Sequence, residues 1–120
     1  MSKAQQKSGQ SRLSAAPLVG RFAPTPSGFL HLGNVFCSLL AWLYAKRSGG
    51  KIVLRIEDLD PQRCSLAKAD ALARELEWLG LTWDEGAYVS ADSDAYFQSR
   101  RSDIYAHYFD KLRQADLVYP

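Results

Sequence analysis

The sequence predicts an α/β fold built on a parallel sheet. Three observations lead there. Short apolar stretches at residues 18–22 and 51–57 have strand length; a loop rich in Pro or Gly, or both, follows each; and each loop opens into a segment with helical apolar spacing. Strand, loop, helix, strand, loop, helix is the signature of a parallel pair joined by a right-handed crossover. A chain of 120 residues has room for one small domain.

Residues 1–16 are rich in Ser, Gln, Lys and Ala, with little beyond Leu13 to bury. Such a segment cannot offset its ordering entropy and reads as a disordered leader. The domain then runs over residues 17–120. Leu18, Val19, Gly20, Arg21 and Phe22 read as a short buried strand, ended by Pro24 and Pro26. A helix is predicted over residues 31–47, where Leu32, Val35, Phe36, Leu39, Leu40 and Leu43 recur at helical spacing. Asn34, Ser38, Ala41 and Ala45 make a small, polar stripe opposite them. So wide an apolar arc predicts a helix packed on more than one side. Ser48-Gly49-Gly50 ends it.

Residues 51–57 form the second strand, and the continuous run Ile52-Val53-Leu54 predicts cover on both faces. Residues 58–62 are loop. Over residues 65–79 a second helix puts Leu66, Ala69, Leu72, Ala73, Leu76 and Leu79 on one face, with Ser65 as its cap and Gly80 past its end. Residues 83–94 are acidic, turn-rich and irregular. A third helix over residues 99–114 gathers Ile104, Tyr105, Tyr108, Phe109 and Leu112, with His107 off that face toward solvent. Leu117-Val118-Tyr119-Pro120 looks like a strand beginning. A lone unit of this kind has an uncovered sheet edge and face, which points to a piece of a larger domain.

Fifteen Lys and Arg against 13 Asp and Glu give a net charge of +2, but Lys3, Lys7 and Arg12 sit in the leader, which has no acid. The body is close to neutral, so composition gives it no nucleic-acid footprint. No apolar run approaches membrane-spanning length. Cys37 and Cys64 lack metal-ligand spacing and read as reduced, buried thiols. With no secretory leader, they predict a cytoplasmic protein.

Chemistry concentrates where the strands end. In Arg21 to Asn34, RFAPTPSGFLHLGN, a strand gives way to a Pro/Gly loop and a helix opens at His31-Leu32-Gly33. Ligands of parallel sheets bind at the carboxyl ends of strands, and a helix start suits an anion such as phosphate. Gly28 and Gly33 allow close approach; His31 is either a cap or a donor to a phosphate oxygen; Arg21 can grip a carboxylate. On the second strand Arg55 and Glu57 share a face. They are either an ion pair or a site in which Glu57 takes a ligand ammonium while Arg21 takes its carboxylate. The second option fits a zwitterionic, acidic amino acid.

RFAPTPSGFLHLGN resembles the first signature of class I glutamyl-tRNA synthetases, with His31-Leu32-Gly33-Asn34 at the HIGH motif. VLRIEDLDPQR (residues 53–63) and LEWLGLTWDEG (residues 76–86) resemble that family's next two stretches, in order and spacing. Pro26-Ser27-Gly28, Asp60-Pro61-Gln62-Arg63 and the Val118-Tyr119-Pro120 ending are more similar to the short glutamyl-queuosine tRNA(Asp) branch. The resemblance implies a Rossmann-like catalytic domain that forms glutamyl adenylate from glutamate and ATP, with Mg²⁺ on the phosphates. The product would then pass to the queuosine base of tRNA(Asp). An ordinary glutamate–tRNA ligase and a non-catalytic nucleotide-binding module are the alternatives.

It also implies glutamate contacts at Arg21, Phe22, Ala23, Pro24, Thr25, Ser27 and Glu57. ATP contacts fall at His31, Gly33 and Asn34, with His31 and Gly33 catalytic. The family's Lys-bearing second ATP motif and its zinc cysteines have no match here, so the chain reads as a truncated first half of that domain. Zinc would belong only to the remainder. The full-length protein is expected to be a monomer without membrane contact.

Overall fold

Three parallel strands, β1 (Val19–Phe22), β2 (Lys51–Leu54) and β3 (Glu85–Gly86), lie side by side in chain order. They belong to a computed structural model that describes residues 17–119. The predicted leader, residues 1–16, and Pro120 lie outside the described residues. Three helices complete the frame: α1 (Leu32–Arg47) between β1 and β2, α2 (Leu66–Trp78) between β2 and β3, and α3 (Ser102–Gln114) after them. The Ser65 hydroxyl accepts from the Lys68 N–H at 3.3 Å and caps α2.

The backbone ladder pairs Val19 with Lys51 and continues through Phe22 with Leu54. It outlasts both strands. The Arg55 N–H donates to the Phe22 carbonyl at 2.9 Å, and the Glu57 N–H to the Pro24 carbonyl at 3.0 Å. Beyond Leu54, β2 exchanges its β3 neighbour for Phe97, which bridges Ile56.

The core fills one side of this sheet. Phe22, Ile52, Leu54 and Ile56 meet Ala69, Leu72, Ala73 and Leu76 of α2, with Leu81, Trp83 and Phe97 closing the end. The buried Trp83 indole donates to the Ala87 carbonyl at 2.8 Å, so its polar edge is satisfied. On the other side Val19 and Arg21 are exposed, and Val53 and Arg55 are half-buried. Among the described residues, the strand expected to be buried at residues 18–22 is therefore an edge strand sealed mainly through Phe22. Likewise β2 is fully buried on one face only.

The packing of α1 reverses the expected one. Its small stripe is the inward face: Ala45 is 1% exposed, and Ala41 and Trp42 pack against the core. The apolar arc looks outward, with Leu32 85% and Phe36 57% exposed among the described residues. The reason is the sheet surface beneath. A Cβ on Gly20 would fall 3.2 Å from both the Ala41 carbonyl oxygen and the Ala45 Cβ. A glycine on the strand and alanines on the helix let the two backbones come together, and a leucine face would not fit there.

Further differences are local. Residues 83–94, expected to be irregular, contain β3. A 3₁₀ turn at Gln98–Arg101, overlapping the start of the range predicted as the third helix, precedes α3, whose apolar side is exposed, as is His107. Leu117, Val118 and Tyr119 form no strand. Cys37 is exposed and Cys64 half-buried, against the expectation that both are buried. No helix among the described residues is long and apolar enough to cross a membrane.

Asp84 clamps the far end of this frame. Its N–H donates to the Ile52 carbonyl at 2.9 Å, and its Oδ2 accepts the Ile52 N–H at 2.8 Å. The same carboxylate pairs with Lys46 at the end of α1 at 2.7 Å. The Lys46 bond, and then the Ile52 N–H, hold the carboxyl below its ordinary 3.8. Folding thus favours the ionised form, so its contribution is complete above about pH 5 and fades as pH falls through the lowered folded value. Asp84→Asn keeps an acceptor for Ile52 and is expected to cost only ~0.5 kcal/mol at pH 7, because the ion pair is partly exposed. Asp84→Ala strands the buried Ile52 N–H and should cost ~1–3 kcal/mol. Urea unfolding at pH 7 and pH 4 checks both, and the Asn variant should lose part of the acid dependence.

Candidate functional site

The loop between β1 and α1 runs over the carboxyl end of the sheet. Two adjoining depressions flank it. One, of about 150 Å³, is lined by Arg21, Phe22, Ala23 and Pro24 from the strand exit and by Asn34, Cys37 and Ser38 from α1. The other, of about 290 Å³, takes Thr25, Ser27, Gly28 and His31 from the loop and Leu72 from α2. Ala23, Pro24 and Asn34 belong to both. The structure thus gathers Arg21, Phe22, Ala23, Pro24, Thr25, Ser27, His31 and Asn34 around one concave region.

Glu57 and Gly33 do not line either depression. Glu57 sits beside the loop through its N–H bond to the Pro24 carbonyl, while its Oε1 accepts from Arg55 Nε at 2.7 Å and pairs with a second Arg55 nitrogen. The ion pair between Arg55 and Glu57 is therefore formed. Both side chains remain about a third exposed or less, so a ligand ammonium would meet a carboxylate already compensated.

His31 caps α1. Its Nδ1 accepts from the Gly33 N–H at 3.2 Å, which assigns the ring proton of the neutral imidazole to Nε2. The two readings of this residue are compatible: one nitrogen closes the helix start while the other stays a donor at the second depression. Gly33 explains its own presence. A Cβ there would lie 3.1 Å from His31 Cε1, so only glycine lets the imidazole fold back over the helix start without a squeeze. Val35 N–H bonds the His31 carbonyl at 3.1 Å and begins the regular helix. With no acid in the first turn of α1, the positive end of its dipole is left to an incoming anion.

Several supporting residues had been given no structural role by sequence reasoning. Glu75 of α2 accepts the Leu30 N–H through Oε2 at 3.0 Å and so pins the residue before His31. Asp58 accepts the Ser99 N–H at 2.9 Å and its hydroxyl at 2.6 Å, fastening the exit of β2 to the turn before α3. Asp60 accepts the N–H of Gln62 and the guanidinium of Arg63, and the Arg63 bond holds its carboxyl below the usual value. The Asp-Pro-x-Arg spacing was a signal for that last turn. Partners as distant in sequence as Glu75 and Leu30 left none. At the other end of α2, Tyr88 donates to Asp70 at 2.8 Å, and burial followed by that bond pushes its phenol well above the usual range.

The described residues include no group of three His, Cys, Asp or Glu side chains able to hold a metal ion.

Comparison with known proteins gives this geometry its relatives. The family model for class I tRNA synthetases (E and Q), catalytic domain, matches residues 17–119. A glutamyl-Q tRNA(Asp) synthetase from Symbiobacterium thermophilum is 48% identical over 103 residues, which is 86% of this chain and 32% of that protein. A glutamate–tRNA ligase from Akkermansia muciniphila is 48% identical over 99 residues, 82% of this chain and 23% of that protein. A solved glutamate-tRNA synthetase from Elizabethkingia anophelis superposes with a TM-score of 0.73 at 40% identity, covering 81% of this chain and 20% of that one. The chain spans about a fifth to a third of the length of these relatives. With the loop, the capped helix and the parallel strands all in the frame of that match, the chain belongs to the catalytic-domain family of the class I tRNA synthetases for E and Q.

Proposed function

We propose that this chain forms the amino-acid and phosphate side of a site that activates glutamate with ATP. In that reaction an oxygen of the glutamate α-carboxylate attacks the α-phosphorus of ATP. The new bond joins that oxygen to phosphorus, the bond to the β-phosphate bridge breaks, and pyrophosphate leaves; a Mg²⁺ accompanying ATP would neutralise part of the phosphate charge. The chain supplies no nucleophile. It orients the reactants and meets the charge that develops on phosphate. Arg21 takes a glutamate carboxylate; Glu57, while still paired with Arg55, takes its ammonium through its remaining acceptor capacity; and Ala23 and Ser27 surround the glutamate. His31 Nε2–H and the start of α1 face the phosphates beside Gly33 and Asn34.

The observation that carries the reading is the His31 cap. It joins a donor to the dipole end of a helix at a concave surface that also holds Arg21. For the acceptor we favour the queuosine base of tRNA(Asp). Asp60-Pro61-Gln62-Arg63 and Pro26-Ser27-Gly28 support it, and so do two relatives named glutamyl-Q tRNA(Asp) synthetase. Relatives named glutamate–tRNA ligase keep the ordinary acceptor in play.

Three outcomes test this in the whole protein. Arg21→Ala should lower kcat/KM for glutamate at least ~30-fold, the cost of truncating one side of a charge pair, with a much smaller loss for ATP; equal losses in pyrophosphate exchange count against it. His31→Asn keeps a helix cap but removes the imidazole, so it should unfold like wild type while exchange falls by roughly 10²-fold; His31→Ala should also lose ~1 kcal/mol of stability. Finally, glutamate-dependent exchange should proceed without tRNA, and labelled glutamate should pass to queuosine-bearing tRNA(Asp). Transfer to the terminus of tRNA(Glu) would select the ordinary ligase.

A further inference from the structure

Outside the regular helix, four hydrogen bonds among the described residues fix the course of residues 24–33. The Glu57 N–H donates to the Pro24 carbonyl at 3.0 Å, the Ser27 N–H to the Thr25 carbonyl at 2.8 Å, the Leu30 N–H to Glu75 Oε2 at 3.0 Å, and the Gly33 N–H to His31 Nδ1 at 3.2 Å. Of these four, only the Leu30 bond is made by a side chain of a separate element. Glu75 lies one turn beyond Leu72, which lines the larger depression, so α2 both walls the site and tethers its loop. Leu30 packs against the core and immediately precedes His31. Whatever sets Leu30 also sets the direction in which α1 begins.

The choice of an acid here is informative. A carboxylate close to a phosphate site works against anion binding. It is tolerable because its oxygen is committed to a backbone N–H, where an ionised acceptor makes a stronger bond than a neutral one. Glu75 bonds Leu30, ahead of the His31 cap, and α1 carries no acid in its first turn, so the N–H groups of the helix start stay open.

We propose that Glu75 is a positioning residue for adenylation: through Leu30 it holds His31 and the start of α1 in register with the phosphates. This rests on the function proposed above. The test is glutamate-dependent pyrophosphate exchange by the whole protein, combined with amide hydrogen exchange over residues 27–33. Glu75→Ala should lower kcat ~10-fold or more, change KM for glutamate less than ~3-fold, and speed amide exchange in residues 27–33 while leaving β2 protected. Glu75→Gln retains an oxygen acceptor and should restore kcat to within ~3-fold of wild type.

Wild-type kcat in Glu75→Ala overturns the proposal, as does a Glu75→Gln variant as slow as Glu75→Ala. If Glu75→Ala does not fold, Glu75→Met, which also lacks the oxygen acceptor, takes its place: a ~10-fold loss of kcat restored in Glu75→Gln supports the role, and wild-type kcat overturns it. If the wild-type protein shows no glutamate-dependent exchange, the functional reading fails separately. Amide exchange then judges the tether, and unchanged protection of residues 27–33 in Glu75→Ala refutes it.

Discussion

The backbone ladder between β1 and β2 governs what lies above it. Because the ladder continues past the strands, through the Phe22 and Pro24 carbonyls, the two chain exits leave the sheet side by side. One exit becomes the loop leading to His31 and the other carries Arg55 and Glu57. Parallel strands bring their carboxyl ends to one edge, and the candidate site residues gather there without a long loop having to fold back. On the other edge of β2 Asp84 satisfies both backbone groups of Ile52 while holding the last turn of α1.

His31 and Gly33 show how tightly local structure and chemistry are joined. The imidazole folds over the helix start because Gly33 leaves room for it, and folding over fixes which nitrogen keeps the proton. Capping and donation are one geometry. The usual hydroxyl or carboxylate caps would close the helix equally well, but they would not leave an N–H donor on the outer side.

Much of the frame was legible from apolar spacing. The buried face of α2 was read correctly at Ala69, Leu72, Ala73 and Leu76, and the Ser65 cap was local enough to see. The inward face of α1 was not, because periodicity reports where large apolar groups lie and not which face the neighbouring sheet can accept. Only the close approach of Gly20 to Ala41 and Ala45 decides that. β3 escaped because it is two residues long and includes Gly86 at a φ of +112°, which has none of the β-branched signal of a strand. Most loop residues of the site could be read from their motif. Glu75 could not, since its partner lies forty-five positions away and a lone acid on a helix looks like any solvated one.

The outward arc of α1 has a thermodynamic consequence. Leu32, Phe36, Leu40 and Tyr44 of α1, like Tyr108 and Phe109 of α3, are already largely in water within residues 17–119. Unfolding this region therefore exposes less new apolar surface than its sequence composition promises. Its heat-capacity increment should fall below the ~12–15 cal/mol/K per residue of ordinary domains, and its denaturant dependence should be correspondingly shallow. Such a segment takes its cooperativity from whatever covers those faces, so its melting reports on that cover as much as on its own core.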